Sequence, residues 1–131
     1  PLTAKHRIFS SIGYTTRKNE KGGNWKFDGT IQYLGQQRIP STAINAPENQ
    51  RPTTSEGFVT ANMQITKTFN KRWDVYVGME NITNYRQDNP IIDADNPLET
   101  GNEFDSGLVW GPIFGRMVYA GFRFKIAPDN K

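Results

Sequence analysis

The chain has 131 residues, the size of one ordinary domain, and its 16 lysines and arginines outnumber its 13 aspartates and glutamates to give a net charge of +3. It contains no cysteine and only one histidine, His6, which excludes disulfides and thiol chemistry and leaves little room for an imidazole metal site. Basic and acidic residues are interspersed along the chain, so nucleic acid is not predicted as a partner.

Hydropathy leaves two classes of protein open. The mean hydropathy is low, and no apolar run approaches the roughly 20 residues of a membrane helix. The strands of a membrane barrel, however, are apolar only at alternate positions, and their mean hydropathy is low as well. Composition therefore allows either a soluble β protein or part of a membrane barrel.

Apolar and polar residues alternate along most of the chain, which predicts strands rather than helices. In one run, for example, Val75 and Val77 share one face and Asp74 lies on the other. Two basic residues, Lys67 and Arg116, fall on otherwise apolar faces, and Arg116 is placed near the outer end of its strand, within reach of lipid headgroups. The pattern predicts an all-β fold, an antiparallel meander of about five strands at 5–17, 25–39, 58–69, 73–84 and 113–126.

The connections between these strands alternate in length. The first and third, 19–23 and 70–72, are short, whereas 40–57 and 85–112 are long loops rich in Pro, Asn, Asp and Gly. A soluble meander has no reason to sort its loops in this way, and such long loops are uncommon in a compact soluble domain. An outer-membrane barrel has short periplasmic turns and long extracellular loops. The order of the connections therefore favours the membrane barrel.

The aromatic residues fall near both ends of the predicted strands. Those near the short turns are Tyr14, Trp25, Phe27, Phe69, Trp73, Phe122 and Phe124, and those near the long loops are Tyr33, Phe58 and Phe114. Two such girdles are typical of barrels with rings at headgroup depth, although aromatic residues are also common in strands generally. Because the smallest outer-membrane barrels need about eight strands, five strands predict a segment of a larger barrel.

Two motifs resemble the end of a known family. The segment 73–85, WDVYVGMENITNY, resembles the penultimate strand of TonB-dependent receptors, in which an alternating apolar run leads into a Glu-Asn-Leu-Thr or Glu-Asn-Leu-Phe segment and then a Tyr. The segment 115–126, GRMVYAGFRFKI, resembles their final strand, a Gly-Arg followed by aromatic-rich alternation. The ordered pair, separated by a long loop, extends the resemblance over about 58–126.

The resemblance implies a C-terminal segment of a transmembrane barrel of roughly 22 strands in the bacterial outer membrane. Such a barrel is closed by an N-terminal plug domain and imports siderophores, vitamins or glycans. The implied partners are the rest of the barrel and the plug, TonB indirectly through the plug, outer-membrane lipid and a small-molecule or glycan cargo. The residues after Ile126 depart from the family, whose members commonly end on an aromatic residue.

Candidate ligand-binding residues lie in the second long loop. Asp93 and Asp95, in an acidic stretch, could bind Ca²⁺ or a cationic cargo group. Their spacing does not fit the 12-residue calcium loop, and a solvated acidic surface is the favoured alternative, so no metal is predicted. Trp110 could stack on a sugar or an aromatic cargo, or anchor the loop instead. No cofactor is predicted.

Three functions compete at this stage. The first is the outer-membrane importer, in which this chain supplies barrel wall and extracellular loops. The second is a soluble all-β module that binds a ligand. The third, an outer-membrane hydrolase, lacks a recognisable triad because His6 stands alone near the N-terminus. We therefore predict that the chain is not an enzyme and has no catalytic residues.

Overall fold

The computed structural model describes residues 3–70, 72–99, 101 and 103–126. Its strands form one antiparallel sheet in the meander order β1-β2-β3-β4-β5, which confirms the predicted all-β meander. The strands are β1 Arg7–Thr15, β2 Asn24–Leu34, β3 Phe58–Thr68, β4 Trp73–Glu80 and β5 Met117–Phe124. In the part of the chain described, the helical structure is one short 3-10 turn, Pro47–Asn49, and no helix is long and apolar enough to cross a membrane. The predicted departure after Ile126 lies outside the described residues.

All five strands are shorter than the alternation predicts, and the largest differences are at the ends of β2 and β4 and at the start of β5. β2 ends at Leu34 instead of 39, because the backbone N–H of Gln37 donates to the Ser55 hydroxyl oxygen rather than to a neighbouring strand. β4 ends at Glu80 instead of 84, since Asn81 adopts a positive φ of 49°, a left-handed conformation that a strand cannot continue through.

The last strand begins at Met117 rather than at 113. The backbone N–H of Arg116 donates to the side-chain oxygen of Asn84 (2.9 Å), and the Arg116 guanidinium donates to the carbonyl oxygen of Ile82 through Nε (3.1 Å) and Nη2 (2.7 Å). Arg116 therefore connects the start of β5 to the segment after β4. This basic residue, predicted on an otherwise apolar face, thus has hydrogen-bond partners within the protein.

The register of β3, β4 and β5 places the two predicted faces on opposite sides of the sheet. On one side Val77 lies between Ile65 and Ala120, and on the other Tyr76 lies between Thr66 and Gly121. The second basic misfit, Lys67, stays on the apolar side, where its ammonium lies 4.5 Å from the centroid of the Trp25 ring. A cation–π contact of this kind allows a charge to lie among apolar side chains.

Glycine and tyrosine interlock on the polar side of β4 and β5. Gly78 is paired with Tyr119, and Gly121 with Tyr76. A Cβ atom at either glycine would overlap the ring of the opposite tyrosine, so the rings fill the space that the glycines leave, an arrangement that supports glycine within a sheet. The Tyr119 hydroxyl then reaches β3 and donates to the Gln64 side-chain oxygen (3.0 Å).

Replacing Gly78 with alanine is expected to push the Tyr119 ring aside and to break its hydrogen bond to Gln64. Overpacking of this kind costs about 1–3 kcal/mol of folding free energy, measurable as a shift in the midpoint of denaturant unfolding. The matched control is Gly13→Ala in β1, where the new Cβ would meet the Asp28 carboxylate at an ordinary 3.5 Å. Equal stability of the two variants would contradict the interlock.

The chain divides into two compact units by its internal contacts. The loop unit comprises Pro1–Ile8, Tyr33–Val59 and Tyr85–Gly115, and the sheet unit comprises Phe9–Gln32, Thr60–Asn84 and Arg116–Lys131. All buried hydrophobic side chains among the described residues belong to the loop unit: Ile39, Phe58, Ile92 and Leu108. The described part of the sheet unit has no hydrophobic core of its own.

Candidate functional site

The two long loops fold into a structured unit around a small apolar core. Ile39 from the first loop packs with Ile92 and Leu108 from the second, and Trp110 packs against this cluster. Ile92 is only 1% exposed. Burial of an aliphatic side chain of this kind stabilises the folded state by roughly 1.5–3 kcal/mol. This hydrophobic cluster therefore favours a defined structure of the two loops.

One buried amide organises the second loop. The Gln87 side-chain oxygen accepts hydrogen bonds from the backbone N–H groups of Trp110 (2.8 Å) and Gly111 (3.0 Å). Its side-chain nitrogen donates to the carbonyl oxygen of Leu108 (3.1 Å), and its own backbone N–H donates to Pro112 (2.8 Å). Gln87 thus joins the beginning of the 85–112 loop to its end and holds the backbone that carries Trp110.

A second buried amide connects the two loops. The Gln37 side chain donates to the carbonyl oxygen of Trp110 (3.1 Å), and its backbone is bonded to Ser55 in both directions, by N–H to the hydroxyl (2.9 Å) and by carbonyl to the Ser55 N–H (2.8 Å). Glu103 makes a further connection, because its carboxylate accepts from the backbone N–H of Ala46 (2.8 and 3.0 Å) and from the Asn49 amide (2.8 Å).

The predicted acidic candidates have different surroundings. The Asp93 carboxylate accepts from the Asn96 amide (2.8 Å) and from the backbone N–H of Glu103 (3.2 Å), and its φ is +49°. These contacts hold a turn within the loop. Asp95 is exposed, and no cluster of three or more acidic, His or Cys side chains suited to a metal ion occurs within the described ranges.

The remaining candidate, Trp110, lines a cavity of about 200 Å³ that lies entirely within the loop unit. Tyr85 forms another wall, and its ring stacks on Phe58 at a centroid distance of 4.6 Å and an interplanar angle of 3°. The other lining residues are Ile39, Arg51, Pro52, Thr54, Ser55, Glu56, Arg86, Gln87, Asp88, Asn89, Pro90, Ile92 and Leu108. The cavity therefore combines apolar and aromatic walls with charges of both signs.

The surroundings of the cavity change the pKa of Tyr85. Burial raises the pKa of the Tyr85 phenol above its ordinary value, and the carboxylates of Glu56 and Asp88 raise it further. Both carboxylates therefore lie close enough to disfavour a second negative charge at this ring. The Tyr85 hydroxyl stays protonated at neutral pH, and the aromatic wall is uncharged.

Sequence reasoning found one wall of this cavity and missed the rest. It selected Asp93 and Asp95 for their charge density, whereas the cavity is lined by 51, 52 and 54–56 and by 85–90, a segment that begins at the last residue of the 73–85 motif. The usable signal was the mixture of an aromatic, two charges of opposite sign and an amide in Tyr85-Arg86-Gln87-Asp88.

Comparison with protein families, curated proteins and solved structures found no match to the chain.

Proposed function

We propose that the chain is a C-terminal barrel segment of a TonB-dependent nutrient importer in the bacterial outer membrane. In this role the strands supply part of the barrel wall, and the two long loops lie on the extracellular side. The cargo would be a siderophore, a vitamin or a glycan, and the segment would work with the rest of the barrel, the plug domain and, through the plug, TonB. The segment carries no catalytic step and no cofactor.

The observation that carries this proposal is the inverted burial of the sheet unit. On β5, Val118 and Phe122 are 65% and 71% exposed, whereas on the polar side of β4 the Asp74 side chain is only 14% exposed and forms an ion pair with Arg123 (3.8 Å). A sheet in water turns its apolar face to a core. A barrel wall turns that face to lipid and its polar side chains to the lumen.

The aromatic contacts of the sheet unit also support the proposal. Trp73 packs against Phe122 and Phe124, at ring-centroid distances of 6.2 and 4.6 Å, and Phe27 packs against Tyr14 and Trp25, both at 6.3 Å. These clusters lie next to the two short connections, where a periplasmic girdle of aromatic residues is expected.

The alternative is a soluble all-β module that binds a ligand in the loop unit. The cavity there favours it, but the exposed apolar rows of the sheet unit then lack any function and would promote aggregation. The two hypotheses differ in what covers Val77: hydrocarbon in the importer and water or another protein surface in the module.

Spin labels measure this difference directly. The chain has no cysteine, so a label introduced by Val77→Cys is the only one within it. Thr66→Cys, on the opposite face, is the matched control. Both variants are studied in the full-length barrel protein reconstituted into lipid vesicles. We expect oxygen, which partitions into lipid, to relax the label at 77 more strongly, and a water-soluble nickel chelate to relax the label at 66 more strongly. Equal accessibility at the two positions, or the reversed order, would reject the membrane placement.

A further inference from the structure

The buried polar side chains on the floor of the loop cavity already have hydrogen-bond partners. The Gln87 amide is occupied by the backbone of 108–111, and the Ser55 hydroxyl accepts from Gln37 and donates to the carbonyl oxygen of Glu56. Across the described residues, every buried side-chain nitrogen or oxygen atom has a partner. With Ile92, Leu108 and the ring of Trp110 as neighbours, the floor suits an apolar group.

Four charged side chains line the cavity, and one of them, Arg51, donates through Nη1 to the backbone carbonyl oxygens of Glu48 (3.4 Å) and Gln50 (3.3 Å), which leaves its Nε and Nη2 groups for a ligand. Arg51 and Arg86 supply two positive charges, and Glu56 and Asp88 supply two negative charges. None of the four forms an ion pair with another residue in the described part of the chain. Arg51 is half-buried and the other three are exposed, which places them at the mouth rather than on the floor.

The size and the charge balance together restrict the ligand. A volume of about 200 Å³ is below the range of roughly 300–1,000 Å³ typical of pockets for drug-sized molecules, so the ligand is small. A simple anion would meet two uncompensated carboxylates, and a simple cation would meet two guanidinium groups. A molecule with one charge of each sign and an apolar body can bind the two arginines, the two carboxylates and the apolar floor at the same time.

We propose that the cavity binds a small zwitterion with an apolar body, specifically an α-amino acid with an aliphatic side chain. The aliphatic group occupies the floor beside Ile92 and Leu108. The carboxylate is bound on the side of Arg51 and Arg86, and the ammonium on the side of Glu56 and Asp88. The two carboxylates already act together on Tyr85, whose ring face adds a favourable surface for an ammonium group.

This inference goes beyond the proposed function and does not depend on it. Every residue that lines the cavity belongs to the loop unit, whereas the membrane placement is tested at Val77 in the sheet unit. Spin-label accessibility and ligand binding can therefore fail separately, and each result identifies which of the two proposals is wrong.

Isothermal titration of the full chain in detergent micelles with L-leucine tests the ligand class. We expect leucine to bind, and N-acetyl-leucine, which lacks the ammonium, and leucinamide, which lacks the carboxylate, to bind at least about fivefold more weakly, since each leaves one pair of mouth charges unpaired. Absence of leucine binding at millimolar concentration would overturn the proposal. Binding of either analogue as tight as that of leucine would also overturn it.

Charge-neutral variants assign the two ends of the ligand. Arg86→Gln is expected to weaken leucine about threefold or more while leaving leucinamide unchanged, and Asp88→Asn to weaken leucine while leaving N-acetyl-leucine unchanged. The matched controls are Arg38→Gln and Asp95→Asn, two exposed residues of the same unit outside the cavity lining. Controls that weaken leucine as much as the mouth variants would attribute the effect to net charge and reject the site.

Discussion

Under the proposed barrel function, replacing Val77 with arginine is expected to destabilise the full-length protein by about 2–4 kcal/mol in lipid vesicles, the cost of a basic residue on a lipid-facing position near the bilayer midplane. Val77 is the fifth of the eight residues of β4 and lies between Ile65 and Ala120. Within the chain itself it is 47% exposed, so a charge there in water would change stability by only about 0.5 kcal/mol. A loss of stability well above about 0.5 kcal/mol therefore indicates that this face of the sheet is covered by an apolar environment.

The matched control is Thr66→Arg on β3. Thr66 pairs with Tyr76, one row from the row of Ile65 and Val77, so the two arginines lie at similar depth on opposite sides of the sheet. Thr66 lines a polar groove with Lys26, Asp74 and other side chains, so a new charge there has polar neighbours. The change also removes the hydrogen bond that the Thr66 hydroxyl accepts from the Gln64 amide (3.1 Å), so we expect a cost of about 1 kcal/mol. Reversible denaturant unfolding in vesicles gives both free energies. Equal costs at the two positions would contradict the assignment of faces, and a cost at Val77 that depends on protein concentration would indicate a second protein copy instead of lipid.

The faces of the sheet were predictable because strand geometry has a period of two. Once the alternation around Val75 and Val77 is recognised, antiparallel pairing fixes which residues of the neighbouring strands share a side. The register of β3, β4 and β5 follows this parity throughout the described pairs. The short connections at 70–72 and 19–23 then left little freedom in the strand order, so the meander was also predictable.

The strand ends were not predictable to the same degree. The apolar alternation continues past Glu80 and begins before Met117, but hydrogen bonding determines where pairing stops. Asn81 and Asn84 adopt positive φ values of 49° and 55°, and the Asn84 side chain captures the Arg116 N–H. Asparagine tolerates this conformation better than most residues, yet nothing in the hydrophobic pattern indicates which asparagine uses it.

The loop cavity was the least predictable feature because it depends on contacts between distant segments. Gln37 and Trp110 are 73 residues apart, and Ala46 and Glu103 are 57 residues apart. Side-chain amides that bind backbone groups leave no periodic signal in a sequence. Trp110 was selected because a tryptophan in a loop is conspicuous. The mixed segment that contains Gln87 marks a polar site, but the sequence does not indicate that the Gln87 amide binds the backbone of Leu108, Trp110 and Gly111.

The structure gives Gln87 a testable role as the organiser of the second loop. Its replacement by alanine would leave the N–H groups of Trp110 and Gly111 and the carbonyl of Leu108 without their partners. A buried polar group left unpaired costs about 1–3 kcal/mol. Because Trp110 and Gly111 are half-buried residues that retain some access to water, we expect a total loss of about 2–4 kcal/mol in the stability of the loop unit.

Hydrogen exchange of backbone amides measures this loss of stability and shows which segment of the chain it affects. A local cost of about 2 kcal/mol or more accelerates exchange by roughly thirtyfold or more in 87–112, while the amides of β3 and β4 stay protected as before. Gln36→Ala is the matched control, because Gln36 lies in the same unit and its side chain is exposed. Gln87→Met separates hydrogen bonding from packing, since methionine is similar in size but satisfies none of the three backbone groups. If Gln87→Met protects 87–112 as well as glutamine does, packing and not hydrogen bonding holds the loop, and the role assigned to the Gln87 amide is wrong.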